Sequence, residues 1–135
     1  MLSDLAYGLV AFAAYFLGCL AYCAAFCFVY TRLTAHDEYE LIVEQHNASA
    51  ALAFGASLLG FAIALAGAVH NTTSALEFIV WGFVAFATQI IAYYLARLAH
   101  PGLSYAIEQN AIAAAIWLGA VSIAAGLLSA ACMSP

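Results

Sequence analysis

Long apolar runs separated by brief polar breaks organise this chain. Four stretches are apolar enough and long enough to cross a bilayer, about 5–30, 47–69, 76–95 and 107–133. Each is close to the roughly 20 residues that a membrane-spanning helix needs. Alternation with period two is absent and the runs are rich in alanine, which favours helices over the strands of a membrane barrel. Between the runs, 31–46 carries Arg32, His36, Asp37, Glu38, Glu40 and Glu44. Segment 70–74 reads His-Asn-Thr-Thr-Ser, and 97–104 contains His100-Pro101-Gly102. Pro lacks a backbone donor and Gly tolerates a turn, so the last of these stops a helix. Such short connections place sequence-adjacent helices side by side and antiparallel. The fold class expected is an all-α membrane protein of four transmembrane helices, in one membrane domain over 1–135.

Composition sharpens this picture. Of 135 residues, 68% are hydrophobic and 7% charged, and the mean hydropathy is +1.04. A soluble domain is about 25% charged, and a small one leaves much of its surface exposed, so lipid is the fitting solvent. Net charge is −5 from seven acids and two arginines. With no basic cluster, partners that need one, nucleic acid or an anionic lipid, are not expected. The N-terminus carries Asp4 in place of a basic region, and its apolar run is too long for a cleavable signal, so it reads as a retained span. Arg32 and Arg97 follow the first and third spans and so lie on one side, which the positive-inside rule makes cytoplasmic. Both termini and the turn at 70–74 are then expected on the periplasmic side of a bacterial inner membrane.

The chain also repeats. Segment 44–56 (Glu-Gln-His-Asn-Ala-Ser-Ala-Ala-Leu-Ala-Phe-Gly-Ala) matches 108–120 (Glu-Gln-Asn-Ala-Ile-Ala-Ala-Ala-Ile-Trp-Leu-Gly-Ala) at Glu, Gln, two alanines and the final Gly-Ala. Arg32-Leu33 with His36 echoes Arg97-Leu98 with His100, and 8–14 echoes 82–88. The repeat unit is a helix hairpin, about 5–69 and about 76–133. A two-span unit returns to its starting side, so the copies are parallel rather than inverted.

On these features the chain resembles the YjfL-type family of small bacterial inner-membrane proteins, a domain-of-unknown-function family with two copies of a two-helix unit. The resemblance covers the whole chain. It rests on Glu44-Gln45-His46-Asn47-Ala48 followed by Gly55 and Gly60, on Trp81-Gly82 leading to Gln89, and on Glu108-Gln109-Asn110-Ala111 followed by Gly119 and Gly126. Residues 129–133 are similar too, with Ser129 where the family pattern more often has Asn. The resemblance implies four spans in an inner membrane and supplies no catalytic residue.

Glu44 and Glu108 carry the most chemistry. Each is expected to open an apolar helix, and two readings stay open. One is an acid complementing the helix dipole at the interface. The other is a symmetric polar site of Glu44, Gln45, Asn47, Glu108, Gln109 and Asn110, since ionisable groups at membrane depth are costly and functional. Arg32 and Arg97 either pair with these glutamates or anchor topology by snorkelling. Gln89, deep in the third span, reads as interhelical glue, with ligand contact as the alternative. Small residues recur in the second span (Ala56, Gly60, Ala64) and the fourth (Ala115, Gly119, Ser122, Gly126, Ala130), which predicts that these two pack closely. The aromatic-rich first and third spans are expected to face lipid.

Cys19, Cys23 and Cys27 recur every four residues and read as small apolar side chains. The four histidines lie in loops or at span ends without metal-ligand spacing, so neither metal nor cofactor is expected. No nucleophile–base arrangement or phosphate loop appears, so an enzyme is not expected. The reading is a non-catalytic membrane subunit or scaffold, working as a homo-oligomer or in a heteromeric membrane complex. The alternative is an oligomeric channel or small-solute transporter lined by the Glu/Gln pairs.

Overall fold

A computed structural model of the protein describes residues 1–34 and 38–133. His36 and Asp37 of the first polar connection lie outside the described residues, as does Pro135. Helix α1 spans Leu2–Leu33, α2 Ala48–Asn71, α3 Ala75–Ala99, α4 Leu103–Glu108 and α5 Ile112–Cys132, with a π-helical stretch at Glu40–Glu44 ahead of α2. Four of them, α1, α2, α3 and α5, are long and apolar enough to cross a membrane.

The fourth apolar stretch departs from expectation. It is two helices: α4 ends at Glu108 and α5 begins at Ile112. Asn110 sits between them at φ 61, a left-handed conformation that a continuing helix cannot contain and that Asn tolerates better than most residues. His46 has φ 52 ahead of α2. The residues that follow adopt nearly the same backbone, Asn47 at φ −77, ψ 106 and Ala111 at φ −80, ψ 101. Glu44 and Glu108 therefore do not open spanning helices, as the sequence suggested. Each closes the short helical piece ahead of one.

The turn between α2 and α3 is built locally. Ser74 caps α3 by accepting from the Glu77 amide at 3.2 Å, while the Glu77 carboxylate accepts from the Thr73 amide at 3.1 Å. Two orphan donors at the helix start are thereby satisfied.

Packing is led by α2 against α5, followed by α3 against each of them. Contacts between α2 and α5 advance together along both chains, from Ser57 against Ser122 to Gly67 against Ala130, so these helices run parallel. Gly60 and Gly126 make the close approach possible. A Cβ on Gly60 would strike the Ser122 carbonyl, and one on Gly126 would strike the Gly60 carbonyl. A Cβ on Gly119 would lie 2.7 Å from the Ala56 methyl. Gly55 is different, with nothing within 4 Å of where its Cβ would stand.

Helix α1 is the outlier. Only Phe26 and Tyr30 are buried along its 32 residues, and 2–14 is exposed throughout. At 1.5 Å per residue it is about 48 Å long, more than the roughly 30 Å hydrocarbon core. Its inner half is held by Tyr22, whose hydroxyl donates to the Ile79 carbonyl at 2.5 Å and whose ring covers Gly82. The expectation that aromatics of the first and third spans face lipid holds for Tyr7, Phe12, Phe16 and Phe83. It fails for Phe26, Tyr30, Phe78 and Tyr93, which are at most 5% exposed. Phe26 stacks on Phe61 of α2 at 4.8 Å, and Tyr30 meets Tyr93 of α3 edge-on at 5.7 Å. Ring-on-ring contact holds α1 to α2 and α3, together with the rings of Tyr22 and Phe78 laid over Gly82 and Gly18.

Candidate functional site

The polar residues gather at one end of the bundle, the end bearing both arginines, and along one buried seam leading inward from it. At that end α2 and α5 start side by side. The Asn47 side chain caps α2 by accepting from the Ala50 amide at 2.9 Å. Its amide nitrogen donates to the carbonyls of Ile107, at 2.9 Å, and Glu108, at 3.3 Å. One side chain thus satisfies the first turn of α2 and the last carbonyls of α4. Asn110 reciprocates from the other junction: its side-chain oxygen accepts from the Ser49 amide at 3.0 Å, also on α2. Of the sequence-derived site, the structure joins Asn47 and Asn110 into this cross-linked junction. Glu44, Gln45, Glu108 and Gln109 stand exposed around it. Gln45 donates to the Glu40 carboxylate at 3.2 Å.

Arg32 and Arg97 are both exposed. Arg32 lies over the Phe28 ring, 4.8 Å from its centroid. Among the described residues neither forms an ion pair with Glu44 or Glu108, so the proposed Arg–Glu pairing is not seen there.

A buried acid lies close by. Glu38 is 2% exposed and accepts from the Thr34 hydroxyl at 2.7 Å. It stands near the hydroxyls of Tyr30 and Tyr93, both deep in the aromatic packing. The Tyr30 hydroxyl faces Ser57 and the Tyr93 hydroxyl faces Ser104, and neither approach reaches good hydrogen-bond geometry. From Ser57 the polar row continues to the Ser122 hydroxyl at 3.2 Å, and the Ser122 carbonyl accepts from the Gln89 amide at 3.1 Å. Gln89 thus joins α3 to α5, the interhelical bond that its depth predicted. Its own carbonyl oxygen meets no partner among the described residues.

Sequence reasoning passed over Glu38 because it stands in a polar connection, where acids are ordinarily solvated. The available signal was Thr34 four residues ahead of it and an apolar Leu-Ile-Val run soon after. Tyr30, Tyr93, Ser57 and Ser104 were invisible as a group, since they come from four separate segments. The arrangement offers hydroxyls, one amide and one carboxylate. Among the described residues there is no group of three His, Cys, Asp or Glu side chains placed to hold a metal ion.

Comparison with known proteins gives a consistent relationship. A family model described as Domain of Unknown Function (DUF350) matches residues 4–133. The inner membrane protein YjfL (UPF0719) of Escherichia coli K12 is 37% identical over 126 residues, 93% of this chain and 95% of its own. The protein of the same name from Escherichia coli O157:H7 matches to the same extent. No solved structure matches the chain.

Proposed function

This chain belongs to the DUF350 family, described as a domain of unknown function, and we propose that it is a non-catalytic subunit or scaffold of a larger membrane assembly. It is a multi-pass protein of the inner membrane. The observation that carries the reading is the division of labour among its helices. Helices α2, α3 and α5 bury one another, with glycine contacts so close that no passage runs between α2 and α5. Helix α1 makes its small-residue and aromatic contacts with the other helices from Tyr15 onward, leaving Leu5, Leu9, Phe12 and Phe16 bare. A compact core with one long, half-attached helix suits a part that docks to something else in the bilayer. Small residues and aromatics on such a helix drive association there by packing, since lipid supplies no hydrophobic drive.

The alternative, an oligomeric channel or small-solute transporter, draws on the exposed Glu44, Gln45, Glu108 and Gln109 at one end, which a ring of subunits would bring around a common mouth. The test is photocrosslinking from Phe12 in the native membrane, followed by native mass spectrometry of the gently solubilised protein. A stoichiometric adduct with a different protein is the expected result. A self-adduct in a closed ring favours the channel. A monomer with lipid adducts alone overturns the subunit reading.

A further inference from the structure

A groove runs along the outside of α3, and one of the two basic side chains stands at its end. Its larger part, about 610 Å³, is a shallow, open depression over α3 itself, bordered by Ile91, Tyr94, Leu95 and Leu98 with Arg97 and Pro101. A second part, about 360 Å³, shares Ile91 and Leu95 and continues between α3 and α5 past Thr88 and Leu128 to Trp81 and Met133. Apart from Arg97 the walls are almost wholly apolar.

We propose that this groove binds one glycerophospholipid, with its phosphate on the Arg97 guanidinium and an acyl chain lying along α3 toward Thr88. Three observations carry this. The first is length. From Arg97 to Trp81 the groove follows 16 residues of α3, about 24 Å at 1.5 Å per residue, which is more than one leaflet of a roughly 30 Å hydrocarbon core. The groove therefore has room for a single acyl chain entering from the interface and passing Thr88. The second is charge. Arg97 lies in the last turn of α3, where the end of a spanning helix meets the headgroups, and forms no ion pair among the described residues. A guanidinium matches phosphate oxygens in geometry and charge. A single cation at the cytoplasmic end of a groove between spanning helices suits one headgroup, where a charged lipid surface would need a basic cluster. The third is the wall itself. Ile91, Leu95 and Leu128 are each more than half exposed and branched, which hinders the close backbone approach another helix would need. The glycines that permit the closest approach, Gly60, Gly119 and Gly126, already serve the contact between α2 and α5.

Arg32 is the built-in control. It is exposed near the same end, but its guanidinium lies over Phe28 and borders neither part of the groove.

The experiment is native mass spectrometry of delipidated full-length protein titrated with phosphatidylglycerol, and separately with phosphatidylethanolamine. One lipid per chain is expected with either, because the shared phosphate is what binds. Arg97→Gln should weaken that binding about tenfold, the loss of one charge-assisted pair, while Arg32→Gln leaves it unchanged. Ile91→Trp, which fills the groove and keeps the cation, should weaken it as well. Equal lipid retention by wild type and Arg97→Gln, or equal loss in both arginine variants, would mean non-specific annular lipid and overturn the proposal. So would a dimer that Arg97→Gln dissociates with no change in bound lipid. None of these readings depends on whether α1 has a protein partner, so the proposed subunit role stands or falls separately.

Discussion

Asn47 and Asn110 show how much one side chain can hold when two helices begin together. Asn47 caps α2 and ties down two carbonyls at the end of α4. Asn47→Ala would uncap α2 and remove the bonds to the Glu108 carbonyl and to the Ile107 carbonyl, which keeps only the Asn110 amide at 2.9 Å. Loss of an N-cap costs about 0.5–2 kcal/mol, and each hydrogen bond lost costs about 0.5–1.5 kcal/mol more. Asn47→Ser keeps an oxygen to cap the Ala50 amide and is too short to reach the α4 carbonyls, so it should fall between wild type and Asn47→Ala. The order of unfolding midpoints in detergent, wild type above Ser above Ala, checks this. A Ser variant as unstable as Ala would show that the α4 carbonyls, and not the cap, dominate. The pair of asparagines was legible in the sequence as part of a repeated Glu-Gln segment. Their roles were not, because each acts on the partner junction: Asn110 caps α2 rather than its own α5. No spacing within one segment encodes a bond across 61 residues.

At the scale of elements, the glycines separate into those that a neighbour requires and those that none does. Gly60 and Gly126 lie where α5 and α2 press backbone on backbone, and Gly55 lies on an open face. Gly60→Ala and Gly126→Ala must push the two helices apart, and overpacking of that kind costs about 1–3 kcal/mol. Gly55→Ala meets nothing and gains helix propensity, so it should be neutral or stabilising by about 0.5–1 kcal/mol. Thermal unfolding of the three variants checks the contrast, and a Gly55→Ala loss as large as that of Gly60→Ala would refute the seam. The periodicity of small residues pointed correctly to the second and fourth spans as a packed pair. It could not tell Gly55 from Gly60, because they lie five residues apart and face different sides of the same helix. The same limit explains the aromatics of α1 and α3. Composition made both helices look lipid-facing, while the facing of Phe26 onto Phe61 and Tyr30 onto Tyr93 depends on which sides meet.

At the scale of the molecule, four spans put both termini on the side opposite Arg32 and Arg97. If the positive-inside rule holds with only two basic residues, a reporter active only in the periplasm will work when fused to either end, and a cytoplasm-only reporter will not. Inverting this result in Arg32→Glu/Arg97→Glu protein would show that the two arginines set orientation; an unchanged result would assign that task to other features. The parallel course of α2 and α5 suits such an arrangement, since both then leave the arginine side together.

Hydrophobic runs and their breaks by themselves determined that this is a four-span helical membrane protein, because backbone groups in lipid must be bonded within their own helix. Length and apolarity of each run are local properties, and they survive without knowledge of neighbours. Small-residue periodicity went one step further and named the two helices that pack most closely. Only the tertiary structure decided where α5 begins, which glycine touches which backbone, how Glu38 comes to be buried beside Tyr30 and Tyr93, and that Arg97 closes a groove while Arg32 covers a ring. Those outcomes depend on helix rotation and on contacts between distant segments. A bilayer rewards nearly every apolar face equally, so hydropathy leaves rotation open and close packing must choose it.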